Sequence, residues 1–433
     1  MSPELVGIIG IVVLLVLFAF RMSVGLSMLL VGFLGYCYLA TTQAGLIKLG
    51  IDPYVTASSY SLSVVPMFIL MGMFLSYGGL GRELYQAIDT WLGHLRGGMA
   101  MATIGACAAF AAVSGSTTAT AATMATVALP EMKRYRYKDS LATASVAAGG
   151  TLGILIPPSV ILVLYGILTF EPIGKLLIAG ILPGILMAVL FMGVIYFQVK
   201  RNPSLAPLRS GTTSREKLAS LRKMWPVPVI FVISMGGIYL GVFTPTEAGA
   251  VGAFAAFIFS LATRHLNRES LIGSLDQAAR ITAMIFLIVI GATVFGHFLA
   301  VSKIPFGICD FIAGLGLSRY VVMALILFLL MVLGCFMEGI AILVLTMPIL
   351  YPLVIDLGFN GVWFGVIMVI MLNIGLVTPP VGLNVYITSG VAKNVPLQTI
   401  FRGVIPFWIA MIVCAALLLA FPQTAIFLPS LMH

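Results

Sequence analysis

Residues 149–159 read GGTLGILIPPS and residues 373–384 read NIGLVTPPVGLN. Both lie in long apolar runs, and both set a glycine four positions before a double proline. Gly153 precedes Pro157 and Pro158, and Gly375 precedes Pro379 and Pro380, at a constant offset of 222 residues. Each proline removes a backbone donor and frees a carbonyl on the preceding turn. The residue before a proline is pushed out of the helical region, and glycine permits an unwound path. The two stretches therefore read as matched breaks in two helices.

What surrounds them is a membrane protein. Of 433 residues, 61% are hydrophobic and 9% charged, with mean hydropathy +1.14. Leu5–Phe20, Leu176–Tyr196 and Ile405–Phe421 are long enough to cross a hydrocarbon core of about 30 Å. Backbone groups cannot stay unpaired in hydrocarbon, so these runs must be helices. The fold class is an all-α polytopic membrane protein. The N-terminal stretch MSPELVGIIGIVVLLVLFAF lacks a basic leader and a small-x-small cleavage site, and reads as a retained first span. Cys37, Cys107, Cys309, Cys335 and Cys414 are scattered without CxxC or Cys/His spacing, which indicates neither disulfides nor a transition-metal site. No Ser/His/Asp set or Walker loop supports an enzyme. A net charge of +9 is a cytoplasmic bias of Lys and Arg in a chain this apolar, not a nucleic-acid surface.

Ten spans are expected near 4–20, 22–41, 62–80, 141–166, 173–198, 226–243, 247–263, 281–302, 361–388 and 403–422. Regions 98–130 and 320–350 are read as re-entrant helical hairpins, entering and leaving on one side. With both termini outside, 19 of the 23 Lys and Arg fall inside, leaving Lys48, Lys175, Lys303 and Arg319 outside. Making 98–130 a single span would destroy that separation, so the positive-inside rule selects the hairpin. Arg82–Arg96 and Asn267–Arg280 have amphipathic patterning and read as interfacial arm helices. The organisation follows: scaffold spans 1–80, a first repeat 81–198, a cytoplasmic basic loop 199–225, scaffold spans and arm 226–280, and a second repeat 281–433.

Each half has a hairpin with glycine at its tip before the break. Gly115 lies 42 residues before Pro157, and Gly339 lies 40 before Pro379. After the first hairpin, EMKRYRYKDS carries four basic residues and belongs inside; after the second, ILYPLVIDLGFNG carries none and belongs outside. Equivalent elements on opposite faces define an inverted-topology repeat, an architecture of secondary transporters.

Freed carbonyls at the breaks suit a hard cation such as Na⁺. At the first tip, Ser114, Gly115, Ser116, Thr117 and Thr118 restart a helix whose unpaired N–H groups attract anions. Together these suggest a carboxylate substrate beside one or two cations. Candidate substrate contacts are Ser116, Thr117, Thr118, Pro158, Asn373, Pro380 and Asn384. Glu338, beside Gly339, is an acid deep in an apolar stretch and a candidate cation ligand or tip anchor. Small residues also serve close packing, and prolines also serve as kinks; recurrence of both in two halves argues for a site. His297, at the outer end of a span, reads as structural.

The chain also resembles the large membrane subunit of tripartite ATP-independent periplasmic (TRAP) transporters over nearly its full length. The resemblance rests on GVFTPTEAGAVGA (241–253), SGSTTATAATMATVALPEM (114–132), GGTLGILIPPS and NIGLVTPPVGLN. One departure is Phe20–Arg21–Met22–Ser23, where the family commonly has a Gly-x-Pro turn. The resemblance implies an elevator-type, Na⁺-coupled importer in the bacterial inner membrane with no cofactor beyond that ion. It implies a small four-helix membrane subunit (Q) and a periplasmic substrate-binding protein (P) that delivers an organic acid. It also implies Na⁺ binding at Ser114, Gly115, Gly153, Pro157, Gly339, Gly375, Thr378 and Pro379, and a static scaffold containing 241–253, where Thr244 or Thr246 would cap a helix. Competing readings are a stand-alone Na⁺/dicarboxylate symporter, the membrane subunit of a sodium-pumping decarboxylase, and a structural subunit without a site. The decarboxylase calls for an acidic pathway, for which Glu338 alone qualifies; the structural subunit calls for no matched breaks.

The inverted topology has a direct check. In a cysteine-free background, single cysteines at Arg136 and Phe359 should react with an impermeant maleimide from opposite membrane faces; labelling from one face would rule the inversion out.

Overall fold

The computed structural model describes residues 1–207, 212–263, 266–314 and 316–432. Arg209 and Arg264, counted above as cytoplasmic, lie outside the described residues, as do the side chains of Arg222 and Lys223. Every regular element described is helical. The chain opens with α1 (Pro3–Ala19), α2 (Val24–Leu39), α3 (Thr42–Ala57), α4 (Val64–Tyr77) and α5 (Leu80–Leu92). Next come α6 (Gly98–Ser114), α7 (Thr117–Arg134), α8 (Asp139–Thr151), α9 (Val160–Thr169), α10 (Ile173–Ala179) and α11 (Ile181–Arg201). A middle group follows: α12 (Ser214–Met224), α13 (Pro226–Phe231), α14 (Gly237–Tyr239), α15 (Pro245–Ala262), α16 (Arg268–Val301) and α17 (Ile304–Gly314). The last group is α18 (Arg319–Gly334), α19 (Gly339–Asp356), α20 (Gly361–Gly375), α21 (Leu383–Val391), α22 (Leu397–Ala420) and α23 (Gln423–Ser430). One succession, helix–tip–helix and then helix–break–helix, occurs twice, in α6–α9 and in α18–α21.

Among the described residues, six helical stretches are long and apolar enough to cross a membrane unaided, including Ile173–Arg201, Arg268–Val301 and Leu397–Ala420. The expected spans 4–20 and 22–41 are helices of 17 and 16 residues, about 25 Å long at 1.5 Å per residue. The expected spans 141–166 and 361–388 are each two helices separated by a break.

Several boundaries differ from the sequence reading. The first arm stops at Leu92 rather than Arg96. The second arm and the span after it are one 34-residue helix, α16, because no glycine or proline interrupts residues 274–290. Hairpin helix α7 runs through Pro130 to Arg134, and α19 runs to Asp356. Helices α3, α12, α17 and α23 occupy stretches read as connections. Two of these have legible starts: the Ala44 N–H donates to Thr41 Oγ1 at 3.1 Å, and Thr213 and Glu216 form a capping box. Of the two cap candidates before α15, Thr244 serves, its N–H donating to Glu247 Oε2 at 2.8 Å. At the atypical turn after α1, Arg21 takes a left-handed φ of 62°, a conformation costing a non-glycine residue about 1–2 kcal/mol.

Helices α2, α3, α4, α15 and α16 pack together, with α1 on α2; α6–α9, α11, α18–α20 and α22 form a second packed group. The groups meet where α4 touches α6 and α9 and where α16 touches α19. Helix α20 is buried along its whole length, and α8 from Leu141 onward, where the hydroxyls of Thr143, Ser145 and Thr151 bond back to helix carbonyls. In the first group α2 and α16 approach backbone to backbone, and a Cβ on Gly25 would lie 2.6 Å from the Leu287 carbonyl oxygen. Gly25→Val should therefore cost about 1–3 kcal/mol and lower the Tm by several degrees in a thermal-shift assay. Gly50→Ala, where a Cβ meets nothing within 4 Å, should leave it unchanged or raise it.

Candidate functional site

At the first tip, Gly115 turns the chain with a φ of 63°. Ser116 then caps α7, its Oγ accepting from the Ala119 N–H at 3.3 Å. The neighbouring hydroxyls form a small network: Thr120 Oγ1 donates to the Ser116 carbonyl at 2.7 Å, and Ser114 Oγ lies 3.0 Å from Thr120 Oγ1. Ser116 Oγ and Thr118 Oγ1 are 3.1 Å apart. The second tip is plainer. Glu338 occupies the cap position of α19 with no side-chain capping bond, and its side chain has no ion-pair or hydrogen-bond partner among the described residues.

The breaks form where the sequence places them. Helix α8 ends at Thr151, a single tight turn covers Leu152–Ile154, and the chain stays unwound to Ser159. Ser159 repairs both edges of the gap: its Oγ donates to the Ile154 carbonyl at 2.5 Å and accepts from the Leu162 N–H at 3.2 Å. In the second break Thr378 Oγ1 donates to the Ile374 carbonyl at 2.5 Å, and the Asn384 N–H donates to the Leu376 carbonyl at 3.1 Å. The bonds Pro157–Pro158 and Pro379–Pro380 are both cis.

Each break lies under the tip of the hairpin before it. A Cβ on Gly115 would strike the Pro158 carbonyl oxygen, and one on Gly153 would strike the Ser116 carbonyl oxygen. In the second half a Cβ on Gly375 would strike the Gly334 backbone and lie 2.9 Å from the Cys335 nitrogen. These glycines are where tip backbone and break backbone touch.

The two tips meet at one cavity of about 230 Å³. Ser114, Gly115, Ser116, Thr117 and Thr118 line it from the first half, and Glu338 and Gly339 from the second. Ile154 and Leu376 enter from the breaks, while Met73 of α4 and Gln277 of α16 stand on the facing wall. Glu338 is the one charged residue in this lining. The other candidates do not line it. Gly153, Pro157 and Pro158 are buried beneath the first tip, Gly375 is buried against Gly334, and Pro379 and Pro380 are exposed. Thr378 is half-buried in the second break. Asn384 is fully buried, its Nδ2 donating to the Ala147 carbonyl of the first half at 3.3 Å. Asn373 is fully buried, and among the described residues neither its Oδ1 nor its Nδ2 has a partner.

Two participants escaped the sequence reading. Ser159 carried a signal, a serine three residues before the first bonded N–H of a helix. Gln277 carried none, because only the packing of α16 brings it to the tips. His297 ties helices together: its Nε2 lies 3.2 Å from Asp52 Oδ2 on α3, with Lys48 Nζ 3.5 Å away.

Residues 11–424 match the family described as tripartite ATP-independent periplasmic transporter, DctM component, and the chain belongs to that family. The C4-dicarboxylate TRAP transporter large permease protein DctM of Pseudomonas aeruginosa is 37% identical over 387 residues, 88% of this chain and 89% of that protein. The sialic acid TRAP transporter large permease protein SiaM of Vibrio cholerae is 33% identical, covering 86% of this chain and 87% of its own. The isethionate TRAP transporter permease protein DctMQ of Oleidesulfovibrio alaskensis is 37% identical over 82% of this chain, which spans 55% of that longer protein. Among solved structures, the Alcanivorax borkumensis YdaH transporter superimposes with a TM-score of 0.67 at 12% identity, covering 88% of this chain and 90% of that one; that likeness is one of fold. The relatives are transporter permeases and not enzymes, so the decarboxylase-subunit reading falls.

The repair of the first break can be measured. Ser159→Ala removes a cap and a bond across the gap and should cost about 1–2 kcal/mol, lowering the Tm. Thr118→Ala, whose hydroxyl bonds only Ser116 among the described residues, should leave the Tm within a degree or two.

Proposed function

We propose that this chain imports an organic acid together with Na⁺ by an elevator motion. The observation that carries the reading is the convergence of both hairpin tips on a single cavity with one acid in its lining. The N-terminus of α7 offers N–H groups and hydroxyls to a substrate carboxylate. The carbonyls at the breaks and tips offer oxygen ligands to Na⁺, at Ser114, Gly115, Gly153 and Pro157 in one half and at Glu338, Gly339, Gly375, Thr378 and Pro379 in the other. The residues present fit the ion in chemistry: neutral oxygens, one carboxylate, and no cation within the cavity lining. Ser116, Thr117 and Thr118 at the tip, backed by Pro158, Asn373, Pro380 and Asn384 around the breaks, hold and shape the substrate side.

The two successions α6–α9 and α18–α21 form an inverted repeat and make up the moving body; residues 1–80 and 226–280 form the scaffold. The chain sits in the bacterial inner membrane with both termini periplasmic. A small four-helix subunit and a periplasmic binding protein complete the transporter. The names of the relatives favour this reading: C4-dicarboxylate and sialic acid are carboxylates, and a relative named DctMQ extends well beyond the length of this chain.

Uptake into proteoliposomes tests it. With both partner proteins present and an inward Na⁺ gradient, one labelled organic acid from a panel of C4-dicarboxylates, 2-oxo acids, sialic acids and sugar acids should accumulate. Removing either the gradient or the binding protein should lower the rate at least about ten-fold. Uptake that ignores the binding protein would identify a stand-alone carrier, and uptake that ignores Na⁺ would remove the ion from the two breaks.

A further inference from the structure

A second polar cavity, of about 390 Å³, lies away from the hairpin tips, where the start of α8, the end of α11 and the start of α22 meet. Its polar wall is Arg402 and Thr399 from α22, Ser140 from α8 and Gln198 from α11. No Asp or Glu lines it; Asp139, next to Ser140, does not reach the lining. Among the described residues Arg402 has no ion-pair or hydrogen-bond partner, and the side chains of Ser140, Thr399 and Gln198 make no hydrogen bond either. The same turns carry Lys138, Lys200 and Arg201, all exposed. A fork of N–H donors, two hydroxyls, an amide and a positive surround line a space that none of the described residues fills. That donor set matches a phosphate.

The direction of approach is set by α22. One turn beyond Arg402, Ile405, Ile409 and Val413 follow at four-residue spacing, 53%, 51% and 42% exposed. They form an apolar stripe on the face of α22 that begins at Arg402. Polar donors at one end of a lipid-facing stripe are what a phospholipid requires, with its headgroup phosphate at the donors and its acyl chain along the stripe. The positive charges put this end of α22 on the cytoplasmic side, where anionic lipids attract basic pockets between membrane helices. The floor of the cavity is firm, since a Cβ on Gly403 would strike the Ser140 carbonyl oxygen.

We propose that this cavity binds the headgroup phosphate of an anionic phospholipid, with Arg402 as its principal ligand. Such a lipid would tie α8, which leads to the first break, to the closing helices α11 and α22 of the two halves. The site is separate from the carboxylate cavity and stands whether or not Na⁺ drives transport.

Native mass spectrometry of the full-length chain in detergent, titrated with phosphatidylglycerol and with phosphatidylcholine, tests it without any transport assay. The wild-type chain should hold its first phosphatidylglycerol more tightly than phosphatidylcholine. Arg402→Gln should weaken that first adduct about five-fold or more, and Arg402→Lys should restore part of the loss. Arg402 is exposed, so these variants should fold, and equal thermal unfolding of the three proteins checks that they do. Equal retention of the two lipids by the wild-type chain, or an unchanged first adduct in Arg402→Gln, would overturn the proposal. Inorganic phosphate that raises the Tm only when Arg402 is present, with no preference among lipids, would overturn the lipid and leave a soluble anion site.

Discussion

The structure turns on what must be done with broken backbone inside an apolar body. Each unpaired group buried there costs about 1–3 kcal/mol, so a helix with two prolines and an unwound turn is stable only if something else completes it. Here the completion is local and then tertiary. Ser159 bonds both edges of the first gap, while Thr378 and the Asn384 N–H close the second. Over each gap lies the tip of the preceding hairpin, brought to contact distance by glycines that leave no room for a Cβ. A hairpin tip without its break would expose its own helix ends, and a break without its tip would lie open. The two features support each other, which is why each recurs with the other.

The cavity is a consequence of that stacking. Two tips, each pinned on its own break, meet between the halves, and the helix starts they carry face one cavity. The halves are also exchanged beyond the breaks: α21 packs on α7 and α8, and α9 packs on α19. The Asn384 side chain crosses to the Ala147 carbonyl, and the Tyr165 hydroxyl donates to the Gly361 carbonyl at 2.7 Å. With each hairpin held by the other half's post-break helix, the tips cannot shift independently without opening a close-packed interior. Under the proposed elevator motion this is the mechanical requirement that the moving body must meet. Facing walls from α4 and α16 supply mostly apolar side chains to the same space, against which such a body can slide.

How much of this was legible in the sequence follows from the range of each signal. Both breaks and both tips were, because proline and glycine act on the backbone at their own positions and need no partner to be read. The all-helical fold was legible for the equally local reason that hydrocarbon admits few alternatives. The extent of α16 was not: amphipathic residues at Asn267–Arg280 suggested a separate arm, but a helix ends only where something stops it. Helices α3 and α12 were missed although Thr41 and the Thr213–Glu216 pair were present, because polar composition outweighed the caps. Gln277 and Met73 were beyond reach, since their place at the tips is decided by packing between helices that are not neighbours in the chain. Asn384 was found as a residue of the second break but misjudged in its surroundings, which belong to the first half.

The two breaks are matched in sequence and unmatched in environment. Pro157 and Pro158 are buried, whereas Pro379, Pro380 and Val381 are exposed. The glycine spacing and the double proline do not account for the difference, because both stretches carry them. It arises from what lies over them: residues 151–159 of the first break are all buried, whereas the second is uncovered at Pro379–Val381 and buried again only at Gly382, which packs on Phe401. Under the inverted-repeat reading, two equivalent elements face opposite sides of the membrane, so no single arrangement can treat them alike. Here the first is covered and the second is open. Under the proposed elevator motion, a second arrangement exchanges the two roles. A ligand needs only to bind one arrangement better than the other to drive the exchange. Under the proposed motion, the inequality of the breaks is the structural trace that alternating access would leave in a chain with two matched breaks.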